Sequence, residues 1–202
     1  MKKALIVVDY TYDFVAPDGK LTCGKPGQEI DDNIARLIED YVQNEDYVIF
    51  TNDIHYKGDP FHPETKLFPP HNIAGTAGRE LYGKVKETYE KYADKCISID
   101  KTRYSSFVGT NLHQLLQERN VIEIAIVGVC TDICVLHTAI SGYNLGYALT
   151  IYEQGVASFN EAGHEWALTH FKNTLGATVI QNYYSGLTRS FKSPLVTDPF
   201  SF

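Results

Sequence analysis

The stretch I-A-I-V-G-V-C-T-D-I-C-V-L-H-T-A, Ile124 to Ala139, decides the fold. Ile122 to Val127 reads as a strand buried on both faces. The pattern breaks at Gly128 and resumes at helical spacing from Asp132 to about Leu145. A fully buried strand passing straight into a helix is the repeating half of an α/β domain. Cys134 falls in the first helical turn, where backbone N–H groups are unpaired and the macrodipole is positive. That placement predicts a stabilised thiolate and makes Cys134 a candidate nucleophile. The alternative is a small buried hydrophobe.

Working outward, the same alternation covers the chain. Ala4–Val8 is a continuous apolar run ending at Asp9, and Ile30, Ile34, Leu37, Ile38 and Tyr41 then mark one face of a helix. Tyr47–Thr51 is a second buried strand, followed by a long segment, Asn52–Gly78, rich in proline and histidine. Loops of that length in compact domains are usually functional. Arg79–Tyr92 reads as a helix and Cys96–Ile99 as a strand leading to Lys101. Leu112, Leu115 and Leu116 lie on a helix that Thr110 or Asn111 can cap. Beyond the opening stretch come a strand at Ala148–Tyr152, a loop at Glu153–Asn160, a helix near Glu161–Leu175 and a strand at Ala177–Ile180. Six strand–helix alternations predict a single α/β domain over residues 1–202: a doubly wound, mainly parallel six-stranded sheet with helices on both faces, a Rossmann-like three-layer arrangement. In such sheets ligands bind beyond the carboxyl ends of the strands, near the point where strand order reverses. Asp9, Asp53, Lys101 and Cys134 each follow a different strand, so they are expected to meet along one edge.

Composition narrows the chemistry. The 202 residues are 44% apolar and 12% aromatic, as expected of a globular chain, with a net charge of -7 and scattered basic residues. No electrostatic footprint for nucleic acid or an anionic membrane is visible, so a small-molecule ligand is expected. The start, M-K-K-A-L-I-V-V-D, is too short in apolar residues for a signal peptide or a membrane span, and a cytoplasmic location follows as the expectation. Cys23, Cys96, Cys130 and Cys134 show no zinc-finger or C-x-x-C spacing, leaving reduced thiols. The aromatic tail ending in P-F-S-F can dock on a neighbouring subunit or equally pack on its own domain, and a homo-oligomer is expected.

A cysteine nucleophile needs a proton acceptor, a nearby cation and donors for an oxyanion. Asp9, Lys101 and main-chain amides near Cys130 and Cys134 can supply these. Asp53 and His55 leave the same face of an extended segment and can share a metal ion. His62, Glu64 and His71 are further candidate ligands, a mixed N/O set suited to zinc, manganese or iron(II). Phe14, Phe61 and Phe68 offer apolar surface to wall a flat ligand.

G-V-C-T-D-I-C-V-L-H-T-A resembles the motif G-[VI]-x-T-D-x-C-V-x-x-T-A of the isochorismatase-like cysteine hydrolases. The resemblance continues through V-D-x-x-x-D-F at Val8–Phe14, D-x-H at Asp53–His55, F-P-P-H at Phe68–His71, G-T-x-G at Gly75–Gly78 and K-x-x-x-S-x-F at Lys101–Phe107. The metal set and P-P-H-N-x-x-G-T-x-G are similar to those of nicotinamidases (pyrazinamidases). The resemblance implies a catalytic triad of Asp9, Lys101 and Cys134, with an oxyanion hole from the Cys130 and Cys134 amides and a cis peptide at Val129–Cys130. It also implies one divalent metal, zinc by expectation, held by Asp53, His55, His71 and a fourth ligand. Glu64 is chosen over His62 because the context reads H-P-E-T-K-L-F-P-P-H. Phe14, Phe68 and Tyr104 are expected to line the substrate pocket. The implied reaction is hydrolysis of nicotinamide to nicotinate and ammonia, serving NAD salvage, with pyrazinamide and related pyridine carboxamides also accepted. One departure stands out: many relatives read D-x-Q-N-D-F where this chain has Asp9-Tyr10-Thr11-Tyr12-Asp13-Phe14, so the hydrogen bonds of the Gln-Asn pair must differ.

Three other readings compete. A relative with the same triad can act on a carbamoyl or ureido compound without a metal. A nucleotide-binding module is disfavoured by the lack of a G-x-G-x-x-G or Walker sequence after the first strand. A thiol redox protein is disfavoured by the C-x-x-x-C spacing of Cys130 and Cys134.

Overall fold

The computed structural model describes residues 2–183; the aromatic tail lies outside them. Six strands, β1 (Lys3–Val8), β2 (Tyr47–Asp53), β3 (Cys96–Lys101), β4 (Glu123–Val129), β5 (Ala148–Ala157) and β6 (Thr178–Ile180), form one sheet in the order β3-β2-β1-β4-β5-β6. Every pairing is parallel. The helices are α1 (Tyr12–Val15), α2 (Lys25–Glu29), α3 (Asp31–Gln43), α4 (Gly83–Lys91), α5 (Leu112–Glu118), α6 (Leu136–Asn144) and α7 (Glu161–Asn173). Alternating strand residues explain the unbroken apolar runs. Ala4, Ile6, Val8, Ile124 and Ile126 face a core shared with α5, α6 and α7, through Leu112, Leu116, Ala139 and Phe171. Leu5, Val7, Ala125 and Val127 face a second core shared with α3 and α4, through Ile34, Leu37, Ile38 and Val85. Both faces are thus covered, as a parallel sheet requires. Among the described residues no helix is long and apolar enough to cross a membrane.

Three elements depart from the expected boundaries. The helix expected from Arg79 begins at Gly83, because Arg79 closes a 3-10 turn, Ala77–Arg79, and is held there by donating to the Asp53 carbonyl at 3.0 Å. The Asp31 carboxylate on α3 then caps α4, accepting from Lys84 N at 2.8 Å and Val85 N at 3.1 Å. The expected loop from Glu153 is instead the continuation of β5. A register shift past Ile126 lets Gly128 pair with Val156 and Val129 with Ala157. The helix expected from Asp132 starts as a π-helical turn, Thr131–Val135, before α6; such turns recur at functional sites.

The sheet reverses direction of growth between β1 and β4, and Gly128 makes that junction possible. Its φ is +116°, and a Cβ built there falls 1.9 Å from the Val8 carbonyl oxygen. Gly128→Ala therefore combines backbone strain with a clash against a central strand, and a loss of roughly 4 kcal/mol is expected. Urea unfolding against the wild type measures it; a midpoint within a few tenths molar of wild type would refute the assignment of the clash.

Candidate active site

Asp9, Asp53, Lys101 and Cys134 stand at the carboxyl ends of the four adjacent strands β1, β2, β3 and β4, or in the turns that follow them. Asp9 takes a left-handed φ of +54°, and its N–H donates to the Thr51 carbonyl at 3.0 Å. Its carboxylate is fully buried. Oδ1 accepts the Asp53 N–H at 2.8 Å, and Oδ2 lies 2.6 Å from Lys101 Nζ. Lys101 is also buried. Its ammonium lies 3.8 Å from Cys134 Sγ and 3.7 Å from Asp53 Oδ1, and it donates to the Arg103 carbonyl at 3.1 Å. One buried cation thus bridges the thiol and both carboxylates.

Burial opposes the charge on Lys101, but Asp9, Cys134 and Asp53 outweigh it and hold its pKa above the usual value. Burial pushes Asp9 up to about 6, against the pull of Lys101. Burial also pushes the Cys134 thiol well above its ordinary value, although Lys101 works the other way. This corrects the simple helix-terminus expectation. Desolvation of the buried sulfur, together with the Asp9 and Asp53 carboxylates, outweighs the help of Lys101, so the resting thiol is neutral. Cys130 is likewise buried, and its thiol is raised by a hydrogen bond to Cys23 and by desolvation, which leaves it inert.

The Val129–Cys130 peptide is cis. Beyond it, the Cys130 carbonyl accepts from Ile133 at 3.1 Å and Val135 at 3.2 Å, passing over the Cys134 N–H between them. A small cavity of about 30 Å³ adjoins the thiol, and Phe14, Phe68 and Tyr104 line it together with Cys130 and Cys134. Phe61 does not join them. It is 90% exposed, because the 52–78 loop turns it outward while folding its acids and histidines in.

That loop returns to the sheet edge. The His55 N–H donates to the Asn72 carbonyl at 3.0 Å and Ala74 N to the His55 carbonyl at 2.8 Å, a parallel bridge that brings His71 beside His55. Asp53, His55, Glu64 and His71, all buried, offer ligand atoms within 4.8 Å of one another. His55 Nε2 is 2.6 Å from Asp53 Oδ2, and His71 Nε2 is 3.5 Å from Glu64 Oε2 and 3.7 Å from Asp53 Oδ2. His71 Nδ1 donates to the Pro69 carbonyl at 2.8 Å. Its Nε2 is buried without a hydrogen-bond partner among the described residues, as suits an imidazole whose free lone pair serves a metal. Burial pulls the His71 pKa down, yet Asp53, Glu64 and the Pro69 carbonyl push it up to about 10. The cluster carries surplus negative charge, which a divalent cation satisfies better than a proton.

His62 has no nitrogen to spare. Its Nδ1 accepts the Glu64 N–H at 3.2 Å, which fixes the proton on Nε2, donated to the Thr102 carbonyl at 2.8 Å. In place of the Gln-Asn pair, Thr11 donates to Asn72 Oδ1 at 2.9 Å, and Asp13 Oδ2 accepts the Asn72 N–H at 2.8 Å. These bonds tie the segment carrying Phe14 to the residue after His71. Sequence reasoning did not single out Asn72 or Arg79. The P-P-H-N run contains the first, whereas Arg79 acts on Asp53 through a carbonyl contact that no spacing announces.

The isochorismatase domain family matches residues 3–182. The uncharacterized isochorismatase family protein PncA of Bacillus subtilis is 54% identical over 183 residues, 90% of this chain and 100% of that protein. A crystal structure of nicotinamidase/pyrazinamidase PncA from Bacillus subtilis covers 90% of this chain and 100% of its own, with a TM-score of 0.87 at 54% identity. The pyrazinamidase of Pyrococcus horikoshii in complex with zinc has a TM-score of 0.79 at 26% identity, over 90% of this chain and 100% of its own. With a six-stranded parallel sheet of the order described, this chain belongs to the isochorismatase family.

Proposed function

We propose that the protein is a metal-dependent nicotinamidase that hydrolyses nicotinamide to nicotinate and ammonia and feeds NAD salvage. The observation that carries this reading is the union of two constellations: a buried Lys101 ammonium joining Asp9 and Cys134, and, 3.7 Å from it, the first carboxylate of an Asp/His/Glu/His cluster. The similarity to nicotinamidase/pyrazinamidase structures supports it.

In the proposed course, Asp9 takes the proton of Cys134 as sulfur attacks the carboxamide carbon, and Lys101 stabilises the ion pair that results. The Cys130 and Cys134 amides receive the oxyanion. Asp9 returns the proton to the departing nitrogen, the C–N bond breaks and ammonia leaves a Cys134 thioester. Water then attacks that carbonyl, giving up a proton to Asp9, and the thiol reforms as nicotinate departs. A pKa near 6 suits Asp9 to both directions of transfer at neutral pH. Asp53, His55, Glu64 and His71 would hold the divalent cation, zinc by preference for an N/O set of this kind, and it would supply a Lewis-acid anchor for the ring nitrogen. Phe14, Phe68 and Tyr104 would flank the ring.

Ammonia release from nicotinamide, measured with and without a chelator, tests the reading. A chelator-insensitive enzyme that prefers a carbamoyl or ureido compound would overturn it in favour of a metal-free relative. The ligand choice has its own test. Glu64→Ala is expected to weaken metal binding on the order of 100-fold, whereas His62→Ala keeps one metal per chain by elemental analysis. Loss of the metal in His62→Ala alone would exchange the two assignments.

A further inference from the structure

The cavity beside Cys134, about 30 Å³, has room for a water or two but not for an aromatic ring. Some part of its wall must therefore move before a ring carboxamide can reach the sulfur. Half of the wall is buried, at Phe14, Glu64, Val129, Cys130 and Cys134, and Leu21, Phe68, Tyr104 and Ile133 are half-buried. Phe159 is the most exposed of the lining residues, at 55%. It also lines a surface groove of about 520 Å³ bounded by Pro26, Ile30 and Val156 on one side and Glu161 and His164 on the other. Among the described residues Phe159 is the one common to these two spaces.

The backbone that carries it is held on both sides by a single carboxylate. Ser158 Oγ donates to Asp132 Oδ1 at 2.7 Å and Asn160 Nδ2 to Asp132 Oδ2 at 3.2 Å. Asn160 N donates to Ser158 Oγ, and Asn160 Oδ1 accepts from Gly163 N at the start of α7, each at 3.2 Å. Thr131 and His164 add a hydrogen bond of 2.8 Å. A Cβ on Gly163 would lie 2.0 Å from Asp132 Oδ2, so α7 sits directly against the carboxylate. Asp132 is two residues before the nucleophile. The main chain on either side of Phe159 is therefore registered to Cys134, and the remaining freedom is rotation of an exposed side chain, which is fast.

We propose that Phe159 is a side-chain gate between the surface groove and the cavity at Cys134, and that it sets which ring sizes reach the sulfur. Turned toward the groove, its ring joins the two spaces into one path for a flat carboxamide; turned inward, it closes the site over the bound ring. It selects by size rather than by hydrogen bonding, because a phenyl side chain offers a passing carboxamide no donor or acceptor. The choice of ring carboxamides as the substrate class rests on the nicotinamidase reading; the gate itself rests on the two spaces and the Asp132 clamp.

Alkylation of Cys134 in the full chain tests the gate without turnover. Chloroacetamide serves as the small reagent and 2-chloro-N-(1-naphthyl)acetamide as the bulky one, with the modified peptide mapped by mass spectrometry. Phe159→Ala is expected to raise the rate with the bulky reagent about 10-fold relative to the small one, and Phe159→Trp to lower it. The ratio of kcat/KM for nicotinamide over quinoline-3-carboxamide should narrow in Phe159→Ala by a similar factor. Phe159→Leu replaces the alanine variant if that protein fails to fold. Equal changes for both reagents, or an unchanged ratio, overturn the gate. If the wild type releases no ammonia from nicotinamide while the alkylation ratio still shifts, the nicotinamidase reading fails and the gate stands.

Discussion

Replacing Cys134 with alanine is expected to lower ammonia release from nicotinamide by about 10⁴-fold or more, because the proposed mechanism forms its acyl intermediate on that sulfur. Asp9 and Lys101, paired at 2.6 Å in the wild type, are untouched by the substitution but have only water to activate. Cys130, four residues earlier, is no substitute: its thiol is held by Cys23 and raised by burial. Cys134 is a small side chain at the edge of one core, so its loss leaves the domain folded, with an unfolding midpoint near that of the wild type. Single-turnover assays and a far-ultraviolet circular dichroism melt on the same sample separate chemistry from stability. A folded Cys134→Ala protein that still turns over at a rate near wild type would end the assignment of the nucleophile.

The second large effect is expected at His71. Its alanine variant removes the buried nitrogen that lies between Glu64 and Asp53, and leaves those two carboxylates with one fewer group to balance them. Metal affinity should fall on the order of 100-fold or more, and KM for nicotinamide should rise with it. The ring of Phe14 lies 5.2 Å from that of His71, so part of the KM change will come from a loosened pocket wall. Competition with a chromogenic chelator isolates the metal contribution. Unchanged metal affinity in His71→Ala would remove His71 from the ligand set and with it the argument from its free Nε2.

The sheet and the meeting of the reactive residues were legible because both depend on local pattern. Apolar runs such as Ala4–Val8 state that a strand is covered on two faces, and parallel pairing sends every strand's carboxyl end the same way. Asp9, Asp53, Lys101 and Cys134 had only to follow their strands to come together. What the pattern concealed depends on tertiary context. Cys134 looked like a thiolate at a helix start, but desolvation is decided by what packs around the sulfur. The continuation of β5 to Ala157 follows from a register shift opposite Gly128, and no period of two or 3.6 residues records it. Phe61 and Phe159 are equally aromatic in sequence; one points to solvent and the other stands at the cavity, because only the latter is flanked by two partners of Asp132. The tautomer of His62 was invisible for the same reason, since the local Glu64 N–H fixes it together with a carbonyl forty residues away.

The strand register described above makes the sheet a measuring device as well as a scaffold. Val8 lies opposite both Thr51 and Gly128, and Asp53 lies opposite Lys101. The spacing of Asp53 from Lys101, and of the strand end that carries Asp9, is therefore counted out in hydrogen-bonded rungs rather than adjusted group by group. A strand can move along its neighbours only in whole residues, about 3.3 Å at a time, and each odd step also turns its side chains to the opposite face. Gradual drift of Asp53 away from Lys101 is thus not available to this molecule: its substitutions can change what stands at each rung, while the ladder holds the rungs where they are.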